Sequence, residues 1–302
     1  MDAFADLLRG IRASGSLFGQ SVLSPPWRLR FVDGAPLTLC TLLQGEGWIV
    51  PDGAAPERIT AGDTVVVRGP RQFLFVDEPG TTAPVVDCGE HCASSTNYLG
   101  WQTCGDTGGS TTLIVGAYPV RGDVGRQLLR ALPPVLVVRD DSGTTAVGEC
   151  IAAEVATDRP GQQVVLDRLL DWMLVCTLRA WFDRPAGGAP AWYTALGDPT
   201  VGEALRLMHD DPARQWTVAQ LAAKAGVSRS GFARRFTTLV GQPPLTYLTW
   251  WRMTIAADLL VEQDATVADV AKQVGYADAF NFSTAFKRVK GVSPSSHRAQ
   301  LS

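Results

Sequence analysis

Histidine is scarce in this 302-residue chain: His91, His209 and His297 are the only three. They lie too far apart in sequence for a metal site built on two neighbouring histidines. A Ser-His-Asp arrangement in the first two-thirds of the chain would have to draw on His91. Lysine is almost as scarce, and Lys224, Lys272, Lys287 and Lys290 all fall in the last third. No apolar run reaches the roughly 20 residues that a membrane-spanning helix needs. The opening Met1-Asp-Ala-Phe-Ala-Asp6 lacks the basic-then-apolar pattern of a secretory signal, so the expected location is cytoplasmic, away from any membrane. In that compartment Cys40, Cys88, Cys92, Cys104, Cys150 and Cys176 are expected as thiols rather than disulfides. Cys150 and Cys176 sit in helical, apolar surroundings and are expected as small core residues.

The net charge of −3 conceals an asymmetry. Pro199–Ser302 carries 12 Lys and Arg against 8 Asp and Glu, whereas the remainder carries 15 against 22. A basic module joined to an acidic one is the distribution expected of a nucleic-acid reader with a separate sensing or assembly domain.

The periodicities divide the chain accordingly. Residues 1–20 read as a short helix with Phe4, Leu7, Leu8 and Ile11 on one face. From residue 21 to about 118, short apolar or alternating runs separated by Gly, Pro and Asp predict many short strands: Leu29–Val32, Leu37–Leu43, Trp48–Val50, Thr64–Val67, Phe73–Val76, Ala83–Val86 and Thr112–Tyr118. Helices follow at Asp123–Leu132, Thr145–Thr157 and Gln162–Phe182, with one more strand at Val135–Val138. The Gln162–Phe182 helix is apolar around so much of its circumference that it must be covered on two sides, by the strand-rich body and by a second subunit. Arg184-Pro-Ala-Gly-Gly-Ala-Pro190 reads as a linker. The expected class is therefore α+β. A domain over 1–183 (barrel about 21–140, helices about 144–183) is joined by residues 184–191 to an all-helical domain over 192–302. That last domain is expected to open with a helix over Thr200–Met208 and to end in a frayed tail after Arg298.

Within it, Thr217–Phe236 and Thr266–Phe286 read alike, about fifty residues apart around a middle helix over Pro244–Glu262. Each is a short amphipathic helix, a Gly-centred turn and a second helix. Thr217 and Thr266 are expected N-caps, Gly226 and Gly275 the turn residues, and Ser228 and Asp278 the caps of the second helices. Phe232 and Phe236 recur as Phe282 and Phe286 on the inner face. The outer face of the first unit presents Arg229, Ser230, Ala233, Arg234 and Arg235. That of the second presents Ala279, Phe280, Asn281, Ser283, Thr284, Lys287 and Arg288, with Lys290 trailing. Guanidinium groups read guanine bidentately in a major groove, amides read adenine, and lysines neutralise phosphates. One such unit is often only a helical hairpin; two in tandem predict a helix-turn-helix pair that binds duplex DNA.

These residues resemble the AraC/XylS family of transcription regulators. Trp216-Thr217, Ala225–Phe236, Gly241-Gln-Pro-Pro244, Tyr247-Leu248, Arg252-Met253, Ala256-Ala257, Val274-Gly-Tyr276, Phe282, Ala285–Arg288 and Gly291-Val-Ser-Pro294 carry the resemblance. It implies a regulator whose two recognition helices enter successive major grooves. The partners expected are double-stranded promoter DNA, RNA polymerase, a small-molecule effector and a second copy of the chain through the 162–182 helix. Arg234 stands at the family's base-reading arginine; Thr284 stands at the same position of the second unit. The first half-site should therefore dominate.

Ser24-Pro-Pro-Trp27, Ala61-Gly-Asp63, Gly116-Ala-Tyr118 and Leu128–Pro134 resemble the cupin-like sensor domain of such regulators. Enzymatic cupins hold a metal with two histidines and a carboxylate, and the stretch Val65–Phe75, read as a strand, contains no histidine. No His-based metal, no cofactor and no enzymatic activity are expected. Trp27, Trp48, Arg68, Phe73 and Phe75 are candidates to line a pocket for an organic effector. Cys88, His91, Cys92 and Cys104 form a local cluster that could be inert, bind zinc, or act as a thiol switch. An alternative to the small-molecule reading is thus a thiol- or zinc-responsive regulator; a cupin-type enzyme or binder is the remote one.

Overall fold

In the computed structural model, which describes residues 2–11, 18–32, 34–88, 102–105, 108–120, 122–139, 142–157, 159–184, 188–261 and 265–301, the chain forms two compact units. One comprises Ile11–Val120 and Leu129–Gly188. The other comprises Met1–Gly10, Arg121–Leu128 and Ala189–Ser302. The crossing at Gly188/Ala189 lies within residues 184–191, while two short segments from earlier in the chain cluster with the C-terminal helices.

In the first unit two sheets enclose one core. Strands β1 (Phe18–Leu23), β2 (Arg28–Phe31), β3 (Leu37–Gln44), β4 (Glu46–Pro51), β5 (Glu57–Thr60), β6 (Thr64–Arg68), β7 (Phe73–Val76), β8 (Val85–Cys88), β9 (Gln102–Gly105), β10 (Thr111–Tyr118) and β11 (Val135–Val138) are ordered β11-β6-β3-β10-β1-β9 and β5-β4-β7-β2-β8. Alternation decides which side chains face inward. Leu29 and Phe31 of β2 are buried in the core, while Arg30 points outward and binds Asp87 at 2.6 Å. The central strands β3 and β10 are buried on both faces. Cys40, Leu42, Leu113 and Val115 fill the space between the sheets. The opposite face lies under α4 (Gln162–Phe182), where the Tyr118 hydroxyl donates to the Leu170 carbonyl at 2.9 Å. Helix α3 (Ser142–Val155) packs beside α4, and α2 (Gly122–Ala131) precedes β11.

Several sequence expectations are corrected here. The N-terminal helix is limited to α1 (Ala3–Leu8), because Phe18–Leu23 pairs with β10 and β9 as β1. The stretch 65–75 is two strands in different sheets, turned at Gly69-Pro70. Cys150 is exposed and Cys176 half-buried, since Val147 and Ile151 take the inner face of α3 and Leu174, Thr177 and Leu178 that of α4.

The second unit is helical throughout: α1, α5 (Ala191–Leu196), α6 (Val201–Asp210), α7 (Val218–Lys224), α8 (Arg229–Val240), α9 (Pro244–Leu259), α10 (Val267–Gln273), α11 (Ala279–Lys290) and α12 (Pro294–Leu301). The expected frayed tail is α12, because Arg298 donates to the Leu260 carbonyl at 2.8 Å and holds the last helix to the end of α9. Helix α5 was not legible as a helix; its Trp192 and Tyr193 pack on Phe4 of α1. Two small cores result. Leu205, Met208, Leu221, Phe232 and Phe236 fill one; Val270, Val274, Phe282 and Phe286 fill the other. Helix α9 serves both, with Tyr247 and Leu248 in the first and Met253, Ala256 and Ala257 in the second.

Between the two cores Arg252 is buried. Its Nε donates to the Pro212 carbonyl at 2.6 Å and its Nη2 to the Arg214 carbonyl at 2.8 Å. The loop it holds abuts the turn of the second unit: a Cβ on Gly275 would lie 2.2 Å from the Ala213 carbonyl oxygen. Gly275 and Gly226 share the left-handed conformation, with φ of +83° and +71°, but a Cβ at Gly226 would meet nothing within 4 Å. Gly226→Ala is therefore expected to cost only the left-handed penalty, about 1 kcal/mol. Gly275→Ala must also displace the 212–214 loop, for a total of about 3 kcal/mol. Urea unfolding of the two variants beside wild type measures the difference; equal losses would contradict the close approach.

Candidate nucleic-acid interface

Each recognition helix is set by hydrogen bonds that its own sequence supplies. Thr217 Oγ1 accepts the Gln220 N–H at 3.2 Å while Gln220 Oε1 accepts the Thr217 N–H at 3.0 Å, a reciprocal cap on α7. Thr266 Oγ1 accepts the Asp269 N–H at 3.1 Å and starts α10. Ser228 Oγ accepts the Gly231 N–H at 3.2 Å and starts α8. Asp278 Oδ1 accepts the Asn281 N–H at 2.8 Å and starts α11; this bond, with the one from the Asn281 side chain, holds the Asp278 carboxyl below its ordinary range. The inner faces are closed by Phe232, Phe236, Phe282 and Phe286, none of which is accessible.

The outer faces differ. On α8, Arg229, Ser230 and Arg234 are exposed and Ala233 is half-buried. Among the described residues neither Arg229 nor Arg234 has a side-chain hydrogen bond or ion pair. Arg235 is engaged: its Nε and Nη2 both donate to Asp198 Oδ2, with Nε at 2.9 Å. Asp198 also accepts the N–H groups of Thr200 and Val201 at the start of α6. The guanidinium above all, then those N–H groups, lowers the Asp198 carboxyl from its ordinary range. Sequence alone paired Arg235 with the groove; Asp198, 37 residues away, carries no local sign that it is the partner.

On α11, Phe280 is 80% exposed, and Asn281, Thr284, Lys287 and Arg288 are exposed around it. The polar groups there are partly spent within the helix. Asn281 Nδ2 donates to Asp278 Oδ2 at 2.7 Å, and the Ser283 and Thr284 hydroxyls donate to the carbonyls of Ala279 and Phe280. Lys290 turns back: its ammonium donates to Asp123 Oδ2 and to Thr254 Oγ1, and it is not on the exposed face with Lys287 and Arg288.

The strand-rich unit places its candidates apart. Trp27, Phe73 and Phe75 lie in the packed core, with the Phe31 and Phe73 rings parallel at 4.8 Å. Trp27 covers Gly47, and its indole N–H is buried without an acceptor among the described residues. Trp48 faces away from the buried Ile49 and is half-buried. Arg68 Nη1 donates to the Leu129 carbonyl at 3.1 Å. His91 and Cys92 lie outside the described residues; Cys88 closes β8 and Cys104 lies in β9, outer strands of different sheets. Among the described residues no three His, Cys, Asp or Glu side chains are grouped to hold a metal, and no helix is long and apolar enough to cross a membrane.

Two family models match this chain: a cupin model over residues 2–183 and a helix-turn-helix model over 221–300. A Streptomyces lividans protein described as an AraC-like transcription regulator is 34% identical over 99% of this chain and 98% of its own length. One from Streptomyces antibioticus, described likewise, is 33% identical over 99% and 98%. Among solved structures, the DNA-binding domain of AdpA in complex with a target DNA is 35% identical, covering 34% of this chain and 93% of that one, with a TM-score of 0.33.

Asp198→Ala removes a helix cap and the partner of Arg235 together. The expected loss is about 1–2 kcal/mol at neutral pH. Because the folded state depresses this carboxyl, its contribution is present above the ordinary carboxylate range and lost as pH falls through the lowered value. The difference between the urea midpoints of wild type and variant should thus be full at pH about 7 and shrink as the pH is taken below the ordinary carboxylate range. A gap of the same size throughout would refute the assignment.

Proposed function

This chain belongs to the AraC-like transcription regulators, and on that premise we propose an unequal division of labour between its two recognition helices. Helix α8 reads bases in one major groove of promoter DNA through Arg229 and Arg234. Helix α11 enters the next groove, sets Phe280 against thymine methyl groups and grips phosphates with Lys287 and Arg288. The observation that carries this is the contrast in outer faces. Two exposed guanidiniums, without partners among the described residues, stand on α8; on α11 the Asn281 amide and Thr284 hydroxyl donate within their own helix.

The strand-rich unit supplies the signal and the assembly. A small organic effector is the proposed signal, received by the β-rich unit, and RNA polymerase is the proposed recipient of the response. A second copy of the chain is the proposed cover for α4. Val164, Val165 and Trp172 are exposed on that helix although Leu166, Leu170 and Met173 are fully buried on its other side. An indole half exposed on a regular helix is apolar surface that a symmetric dimer would remove from water.

Electrophoretic shift with the full chain and the DNA flanking its own gene tests the reading. Arg234→Ala should weaken the bound site about 10- to 100-fold, the worth of one bidentate base contact, while Thr284→Ala changes it less than about threefold. An Arg234→Ala loss of the same size on DNA of unrelated sequence would refute base reading by α8. Trp172→Glu should shift the sedimenting species from dimer to monomer; an unchanged species would remove α4 as the interface.

A further inference from the structure

Helix α2 belongs to both compact units: its residues through Leu128 group with the helical unit and those from Leu129 with the strand-rich one. Each end is tied within its own unit. At the C-terminal end the Leu129 carbonyl accepts from Arg68 on β6. At the N-terminal end the cap comes from far along the chain. The Asp258 carboxylate on α9 accepts the N–H groups of Asp123 and, at 3.2 Å, Val124. Asp123 in return accepts from Lys290 at the end of α11, and Lys290 also donates to Thr254 at 3.3 Å. The paired side chains are nearly closed to solvent, at 12% for Lys290 and 10% for Asp123.

The geometry tolerates little variation at Gly122. Its φ is +73°, and a Cβ there would lie 2.5 Å from Asp258 Oδ2. Burial pushes the Asp258 carboxyl up from its ordinary range, so this contact is held by directed hydrogen bonds and not by easy solvation of the charge. Contacts from two helices, the Asp258 carboxylate on the connecting helix α9 and Lys290 at the end of α11, therefore converge on a single turn of α2. They remove from the DNA-facing set a lysine that stands one turn beyond the exposed Lys287.

We propose that the first turn of α2 is a latch on the second helix-turn-helix unit, holding Lys290 away from DNA until α2 is released and Lys290 can pair with a phosphate. This rests on the DNA-binding reading above and adds its regulation.

The test uses the full chain and a duplex of mixed sequence, with binding followed by fluorescence anisotropy over a salt series. Asp123→Asn should tighten binding about threefold at moderate salt and steepen the log–log salt slope by about one. Gly122→Ala should do the same with Asp123 and Lys290 intact, and adding Lys290→Gln to Asp123→Asn should abolish the gain. In the wild-type background Lys287→Gln should flatten the slope by about one while Lys290→Gln leaves it unchanged. That last comparison decides even if the α2 variants unfold. Equal slopes for Lys287→Gln and Lys290→Gln, or folded α2 variants that bind as wild type does, overturn the latch. Absence of salt-dependent binding in every protein, wild type included, would instead overturn the DNA-binding reading.

Discussion

The helical unit depends on one buried guanidinium. Arg252 sits in the middle of α9, where the core of the first helix-turn-helix gives way to that of the second, and burial lowers its pKa. A buried cation is tolerated only if its donors are satisfied. Here the Pro212, Ala213 and Arg214 carbonyls satisfy them, and the Tyr276 ring lies 5.9 Å from the guanidinium carbon. The loop that receives those bonds presses against Gly275, the turn of the second unit. One side chain thereby ties the entrance of the first unit to the turn of the second. The separation of α8 and α11 thus rests on the continuous helix α9, which packs into both apolar cores, and on this polar joint beside it. Two grooves of a duplex can be addressed in register only if that separation is fixed.

The duplication is strict where it builds the fold and loose where it meets a partner. Thr217 and Thr266, Gly226 and Gly275, and the two phenylalanine pairs recur in role. The outer faces do not recur: arginines on α8 correspond to an exposed aromatic and back-bonded hydroxyls on α11. A core accepts a narrow set of shapes, so both copies converge on the same residues. A surface facing DNA is constrained only by the bases and phosphates opposite it, which differ between the two grooves of an asymmetric site.

Local signals were legible in the sequence and long-range pairings were not. The four caps, the inner aromatics, α4 with its Gln162–Phe182 limits and the class of each half follow from short patterns of residue type. Strand β1 escaped because Phe18-Gly-Gln-Ser-Val-Leu23 has no clean alternation of its own, and only pairing with β10 and β9 makes it a strand. Arg235 and Lys290 read as DNA contacts because both lie on the correct helices and carry the correct charge. Their partners, Asp198 and Asp123, are 37 and 167 residues away. No periodicity encodes such a pair. Phe73 and Phe75 read as pocket walls for a related reason: an aromatic on a strand looks the same in sequence whether it lines a cavity or fills a core.

These pairings alter what the charge count means. The 12 basic residues of the last 104 suggested a broadly electropositive domain. Arg206 is bound to Glu203 and Asp210, Arg235 to Asp198, Lys290 to Asp123 and Arg298 to two carbonyls, while Arg252 is buried. What remains on α8 and α11 is Arg229 and Arg234 on one helix and Lys287 and Arg288 on the other. The exposed cations of these two helices thus form two small clusters, one per helix, with Arg214, Lys224 and Lys272 exposed outside them. Net charge alone therefore says little about this domain; which cations are held by partners and which stand exposed on α8 and α11 says more.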